Sequence, residues 1–77
     1  MKVIVYSTPI CPFCILVKNF LKKNTIRFSE VDISKDEKKK QEMIQKSGQI
    51  SVPVTEIDGK IIIGYKISEI KGALGLK

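Results

Sequence analysis

The chain contains no histidine and no tryptophan, and its 77 residues include only two cysteines. Without histidine, a Cys-His nucleophile of the protease type is excluded. Two thiols also fall short of the four protein ligands that a structural zinc ion takes, so no metal site is expected. A single bridge between Cys11 and Cys14 would close too short a loop to add much stability. The pair is therefore expected for its reactivity. No apolar run is long enough to cross a bilayer, and Met1-Lys2-Val3-Ile4-Val5 reads as the start of a strand rather than as a signal peptide. A reducing, cytoplasmic setting with no membrane partner is expected, and there a cysteine pair is more often catalytic than structural.

Acidic residues are also scarce. Eight Asp+Glu stand against 14 Lys+Arg, a net charge of +6. The one dense basic run, Lys38-Lys39-Lys40, sits beside Asp36, Glu37 and Glu42 in an expected helix and reads as a solvated face. No nucleic-acid partner is expected, although the basic balance can steer association with an acidic protein.

The length fits one domain, residues 1–77, with a small core. Residues 2–6 read as a mostly buried strand, broken by Ser7-Thr8-Pro9-Ile10. A helix is expected over residues 12–23, with Pro12 at its first position and Leu16, Val17, Phe20 and Leu21 at helical spacing. Residues 26–31 alternate as a second strand. Ser34-Lys35-Asp36-Glu37 matches a capping box with Ser34 as N-cap, and the following helix should run to about Lys46 and stop at Gly48. Its apolar stripe, Met43 and Ile44, is narrow. Residues 54–57 and 60–63 form strands around Asp58-Gly59, a hairpin signal. Residues 67–74 form a short last helix. The order β-α-β-α-β-β-α predicts an α/β fold: a right-handed parallel crossover, an antiparallel hairpin, and a four-stranded mixed sheet with helices on both faces.

Cys11 falls at the expected N-terminus of the first helix, where unpaired amides and the helix dipole favour an anion. The thiolate is the reactive form of cysteine. Pro12 removes one backbone donor from the site, and Lys18 adds a cation if its side chain reaches back. Residues i and i+3 of a helix lie within disulfide range. Cys11 can thus attack a substrate disulfide and be released by Cys14, the deeper thiol. Val52-Pro53 is the second notable feature. Pro53 either simply begins a strand or follows a cis bond that exposes backbone beside the thiols, ready to pair with an extended substrate.

Cys11-Pro12-Phe13-Cys14 after a strand, Lys18 four residues beyond, Ser47-Gly48-Gln49-Ile50-Ser51-Val52-Pro53, and Ile63-Gly64-Tyr65 after a hairpin together resemble the glutaredoxin branch of the thioredoxin-like superfamily. The likeness covers nearly the whole chain. It implies a minimal thioredoxin fold and a dithiol-disulfide oxidoreductase, with Cys11 as nucleophile, Cys14 as resolving thiol and Pro53 cis. It also implies no bound cofactor, and a substrate or glutathione surface built from Pro12, Phe13 and Lys18, from Ser51, Val52 and Pro53, and from Gly64, Tyr65 and Lys66. Glutathione is then the expected cosubstrate, disulfide-containing proteins are the partners, and the chain is a monomer. Two positions depart from the pattern. Thr8 stands where glutaredoxins commonly carry Lys or Arg, and Lys66 stands where acidic residues commonly follow Gly-Tyr. Gly64-Tyr65-Lys66 is more similar to the small redoxins that serve ribonucleotide reductase and are recycled by thioredoxin reductase. A non-enzymatic alternative, a glutathione-dependent iron-sulfur cluster carrier, is disfavoured by Pro12 after the first cysteine.

Overall fold

The computed structural model describes residues 2–75. Its elements are β1 (Val3–Ser7), α1 (Pro12–Lys23), β2 (Ser29–Asp32), α2 (Glu37–Ser47), β3 (Val54–Ile57), β4 (Lys60–Ile63) and α3 (Ile67–Leu74). The four strands form one sheet in the order β2-β1-β3-β4. β1 pairs with β2 in parallel, while β1–β3 and β3–β4 are antiparallel. β1 is central, and it is apolar on both faces because helices cover both. Val3 and Val5 face α1 and α3, where they join Val17, Leu21, Ile57, Ile62, Ile70 and Leu74. Tyr6 points to the other side, with Ile33, Met43 and Val54 beneath α2. The expected fold and all seven expected elements are present.

The local stops and starts follow from residue chemistry. Gly48 ends α2 at φ 74°, a left-handed conformation that only glycine adopts freely. The hairpin turn puts Asp58 at φ 49° and Gly59 at φ 88°, the pair of positive angles that an Asp-Gly turn favours. Asn24 closes α1 by donating its side-chain amide to the Phe20 carbonyl at 2.8 Å.

Several boundaries differ from the sequence reading. β1 runs Val3–Ser7 rather than 2–6, so Ser7, expected to break the strand, pairs with Asp32 inside it. The alternating run 26–31 pairs with β1 only from Ser29 onward. Ile26 and Phe28 are drawn instead to the cluster under α1, and the Ile26 N–H donates to the Leu21 carbonyl at the helix end. A cleft of about 430 Å³ between Val3 and Phe28, edged by Lys2, Arg27 and Ser29, opens where that pairing is missing. Ser34 does not cap α2. Its N–H and hydroxyl both donate to Asp32 Oδ1, and Asp36 caps the helix by accepting from the Lys39 N–H at 3.1 Å. Asp and Ser cap equally well. Here Ser34 is held in the turn that Asp32 organises, so the helix begins two residues later than the capping box implied.

Candidate active site

Cys11 is the N-cap of α1, in an extended conformation with φ −94° and ψ 111°. Its sulfur accepts the Cys14 N–H at 3.2 Å. The capping position thus aims one of the helix's unpaired amides at a sulfur atom, and a sulfur anion gains most from such a donor. Across the site, the Cys11 thiol donates to the Val52 carbonyl at 3.8 Å. The Val52–Pro53 bond is cis, and the Pro53 carbonyl accepts the Gly64 N–H at 2.8 Å. The two motifs, 41 residues apart in sequence, therefore meet at one sulfur.

The two thiols, both free, have unequal surroundings. Cys11 is half-buried, whereas Cys14 is 0% exposed. Burial pushes the Cys14 thiol up from 9.0 to about 12, helped by its hydrogen bond and charge interaction with the Cys11 sulfur. The Thr8 backbone and the Lys18 ammonium act in the opposite sense, and burial wins. In this state Cys14 is a protonated thiol.

The remaining expected site residues divide into two groups. Pro12 fills the first helical position and Pro53 is buried against the cysteines' end of the sheet, while Gly64 takes φ 84° at the end of β4. Phe13 is 56% exposed and stacks on Tyr65, with ring centroids 6.3 Å apart. Two sequence segments thus supply one aromatic wall beside Cys11. The second group is turned elsewhere. Lys18 does not reach back to the cysteines, because its Nζ lies 2.7 Å from Glu30 Oε2 on β2. The Lys66 ammonium sits 3.7 Å from Glu69 on α3. Ser51 is exposed, with its backbone held by the Gln49 side chain.

The sequence reading missed two rim residues. Ile10 is 89% exposed and Ile50 is 67% exposed, each in the loop leading into one of the two motifs. Both are large apolar residues outside any helical or strand period, and that was the signal available for finding them. With Phe13 and Tyr65 they give the mouth of the site an apolar edge.

The glutaredoxin family model matches residues 3–62. An uncharacterized glutaredoxin-like 8.6 kDa protein in a rubredoxin operon of Clostridium pasteurianum is 46% identical over 66 residues, covering 86% of this chain and 88% of its own. Glutaredoxin 3 of Escherichia coli strain K12 is 36% identical over 60 residues, covering 78% of this chain and 72% of its own. The crystal structure of a glutaredoxin from Archaeoglobus fulgidus is similar at a TM-score of 0.88 and 28% identity, covering 95% of this chain and 85% of that one. The chain belongs to the glutaredoxin family and is a thiol-disulfide oxidoreductase.

Proposed function

We propose that this protein reduces disulfides of other proteins by a dithiol route in the cytoplasm, with Cys11 as nucleophile and Cys14 as resolving thiol. One observation carries the assignment: the accessible sulfur is the one that receives a helix N-terminal amide, and the buried sulfur lies one turn beneath it. Cys11 as thiolate attacks a substrate disulfide, forms a mixed disulfide and expels one substrate thiolate. Cys14 then loses its proton to solvent and attacks the Cys11 sulfur. The bond from Cys11 to the substrate breaks, the substrate leaves as a second thiolate, and the cysteine pair is left as a disulfide. Two electrons pass from the pair to the substrate. Val52 offers backbone beside the sulfur for an extended segment of the substrate, in the manner of an added strand.

The electron donor that restores the dithiol is read as glutathione from the family. A protein reductase of the thioredoxin-reductase kind is the second reading, and specific observations favour it. Thr8 brings no cation to the site, Lys66 is engaged by Glu69, and the mouth is edged by Ile10, Ile50, Phe13 and Tyr65. That edge suits a protein surface better than a small, highly charged tripeptide. NADPH consumption with a protein disulfide is the test, with glutathione and its reductase as donor in one assay and thioredoxin reductase in another. Activity in only one identifies the donor. Cys11→Ser should be inactive with both, and any retained reduction would refute the assignment.

A further inference from the structure

Cys11, Cys14 and Lys18 fall on one face of α1, because positions 11, 14 and 18 recur at helical spacing. The same face lies over β2. Glu30 stands opposite Val5 in the β1–β2 register, which puts it on the side of the sheet that α1 covers. The Lys18 side chain is 17% exposed, and its Nζ approaches Glu30 Oε2 at 2.7 Å. Lys18 is thus a cation one helical turn from the buried resolving sulfur, and its ammonium is held away by a carboxylate on the edge strand.

We propose that Glu30 is a positioning residue for the resolving step: by holding Lys18, it limits the positive charge that acts on Cys14 and so slows release of the bound substrate. The proposal rests on the reading of Cys14 as the resolving thiol. The charged and titratable groups around that thiol are few. On α1 they are Cys11 and Lys18. On β2, Glu30 and Asp32 are the carboxylates that the Lys18 ammonium faces. Asp32 is already committed to Ser34, which donates to it from both its N–H and its hydroxyl, and Lys35 also lies nearby. Glu30 is therefore the carboxylate in contact with the Lys18 ammonium. A thiolate forms on Cys14 only after its proton is lost to solvent, and a nearby cation favours that ionisation. Neutralising Glu30 releases the Lys18 ammonium from β2, free to swing toward the cysteines' end of α1. Removing Lys18 deletes the charge through which Glu30 acts.

The test follows release of a chromogenic thiol from its mixed disulfide with Cys11 across a range of pH. Glu30→Gln should displace the rate–pH profile toward acid and speed release about three- to tenfold at a fixed neutral pH, as expected for one partly screened charge at short range. Lys18→Met should displace it toward alkali by a similar factor. The double variant should lie close to Lys18→Met, because without Lys18 there is no ammonium for Glu30 to hold. A Glu30→Gln profile that superimposes on the parent, or a double variant that still differs from Lys18→Met by the full Glu30 effect, would overturn the proposal. A merely structural role for the ion pair would lower thermal stability without moving the profile along the pH axis, and that result would overturn it too. Cys14→Ser separates this failure from that of the underlying reading. If it releases the thiol as fast as the parent protein, both fall, whereas release that needs Cys14 but ignores Glu30 refutes only the role of Glu30.

Discussion

In the proposed route the resolving step should be steeply pH-dependent, because its thiol is buried. In the reduced protein Cys14 is held up at about 12, first by burial and then by its hydrogen bond and charge interaction with the Cys11 sulfur. Once Cys11 is bound in a mixed disulfide, that sulfur carries neither charge nor proton, so the second and third causes vanish. Burial remains, because Cys14 is 0% exposed. The thiol should therefore still ionise above its ordinary value of 9.0 while the substrate is attached. Below that point the thiolate fraction rises about tenfold per pH unit, so release should accelerate roughly a hundredfold between about pH 6 and pH 8. The assay forms the mixed disulfide in acid, where resolution is slow, jumps the pH in a stopped-flow instrument, and records the freed aromatic thiol by absorbance. Cys14→Ser supplies the baseline. A rate that is flat over this interval, or that levels off near neutrality, would mean that the thiolate is already populated and that burial does not control the step.

Three further outcomes are expected. Thr55 is fully buried on β3 and its hydroxyl has no partner among the described residues. Thr55→Val should therefore stabilise the protein by about 1 kcal/mol, seen as a melting temperature higher by roughly 4–8 °C, and an unchanged or lower value would count against an unsatisfied hydroxyl. Lys46 donates to the buried Tyr6 hydroxyl at 3.0 Å and to Glu56 Oε1 at 2.7 Å, tying α2 to β1 and β3. Lys46→Met should cost about 1–2 kcal/mol in urea unfolding, and a double-mutant cycle with Tyr6→Phe should return a coupling near 1 kcal/mol; additive effects would show that the contact contributes nothing. Replacing both Ile10 and Ile50 with Ser should lower kcat/KM for a protein disulfide about tenfold while leaving the rate with a small hydrophilic disulfide nearly unchanged, and an equal loss on both substrates would remove the apolar mouth from substrate selection.

The parts of this structure that were legible beforehand are those in which local chemistry and tertiary packing agree. Pro12 at a helix start, Gly48 at a helix end and Asp58-Gly59 in a hairpin each have one favoured backbone geometry, and each adopts it. The boundaries that moved are those where two local solutions were close in energy. Ser34 and Asp36 are comparable caps, and the choice fell to Asp36 once Asp32 had taken both donors of Ser34. Residues 26–28 alternate like a strand, but Ile26 and Phe28 pack against the cluster under α1 and the Ile26 N–H is taken by the Leu21 carbonyl. In the site, the cysteines were readable because their spacing is itself the chemistry, whereas the residues alone left Pro53 as either a strand start or a cis proline, and only the family resemblance implied the cis bond that is present. The turning of Lys18 toward Glu30 was not readable, since a long flexible side chain has several partners within reach and the register of β2 decides among them.

The same arrangement explains why two thiols of identical intrinsic chemistry need not compete. The amide of Cys14 serves the sulfur of Cys11, while the sulfur of Cys14 is buried beneath it and hydrogen-bonded to it. In the reduced protein burial, with this interaction behind it, raises Cys14 and keeps the inner thiol protonated, in keeping with the proposed role of the outer sulfur as the attacking one. Attack consumes the interaction, because a sulfur engaged in a disulfide no longer opposes ionisation of its neighbour. The inner thiol is thereby eased toward its reactive form only after the outer one has reacted. In the proposed route, the order of the two steps then follows from burial and electrostatics within one helical turn.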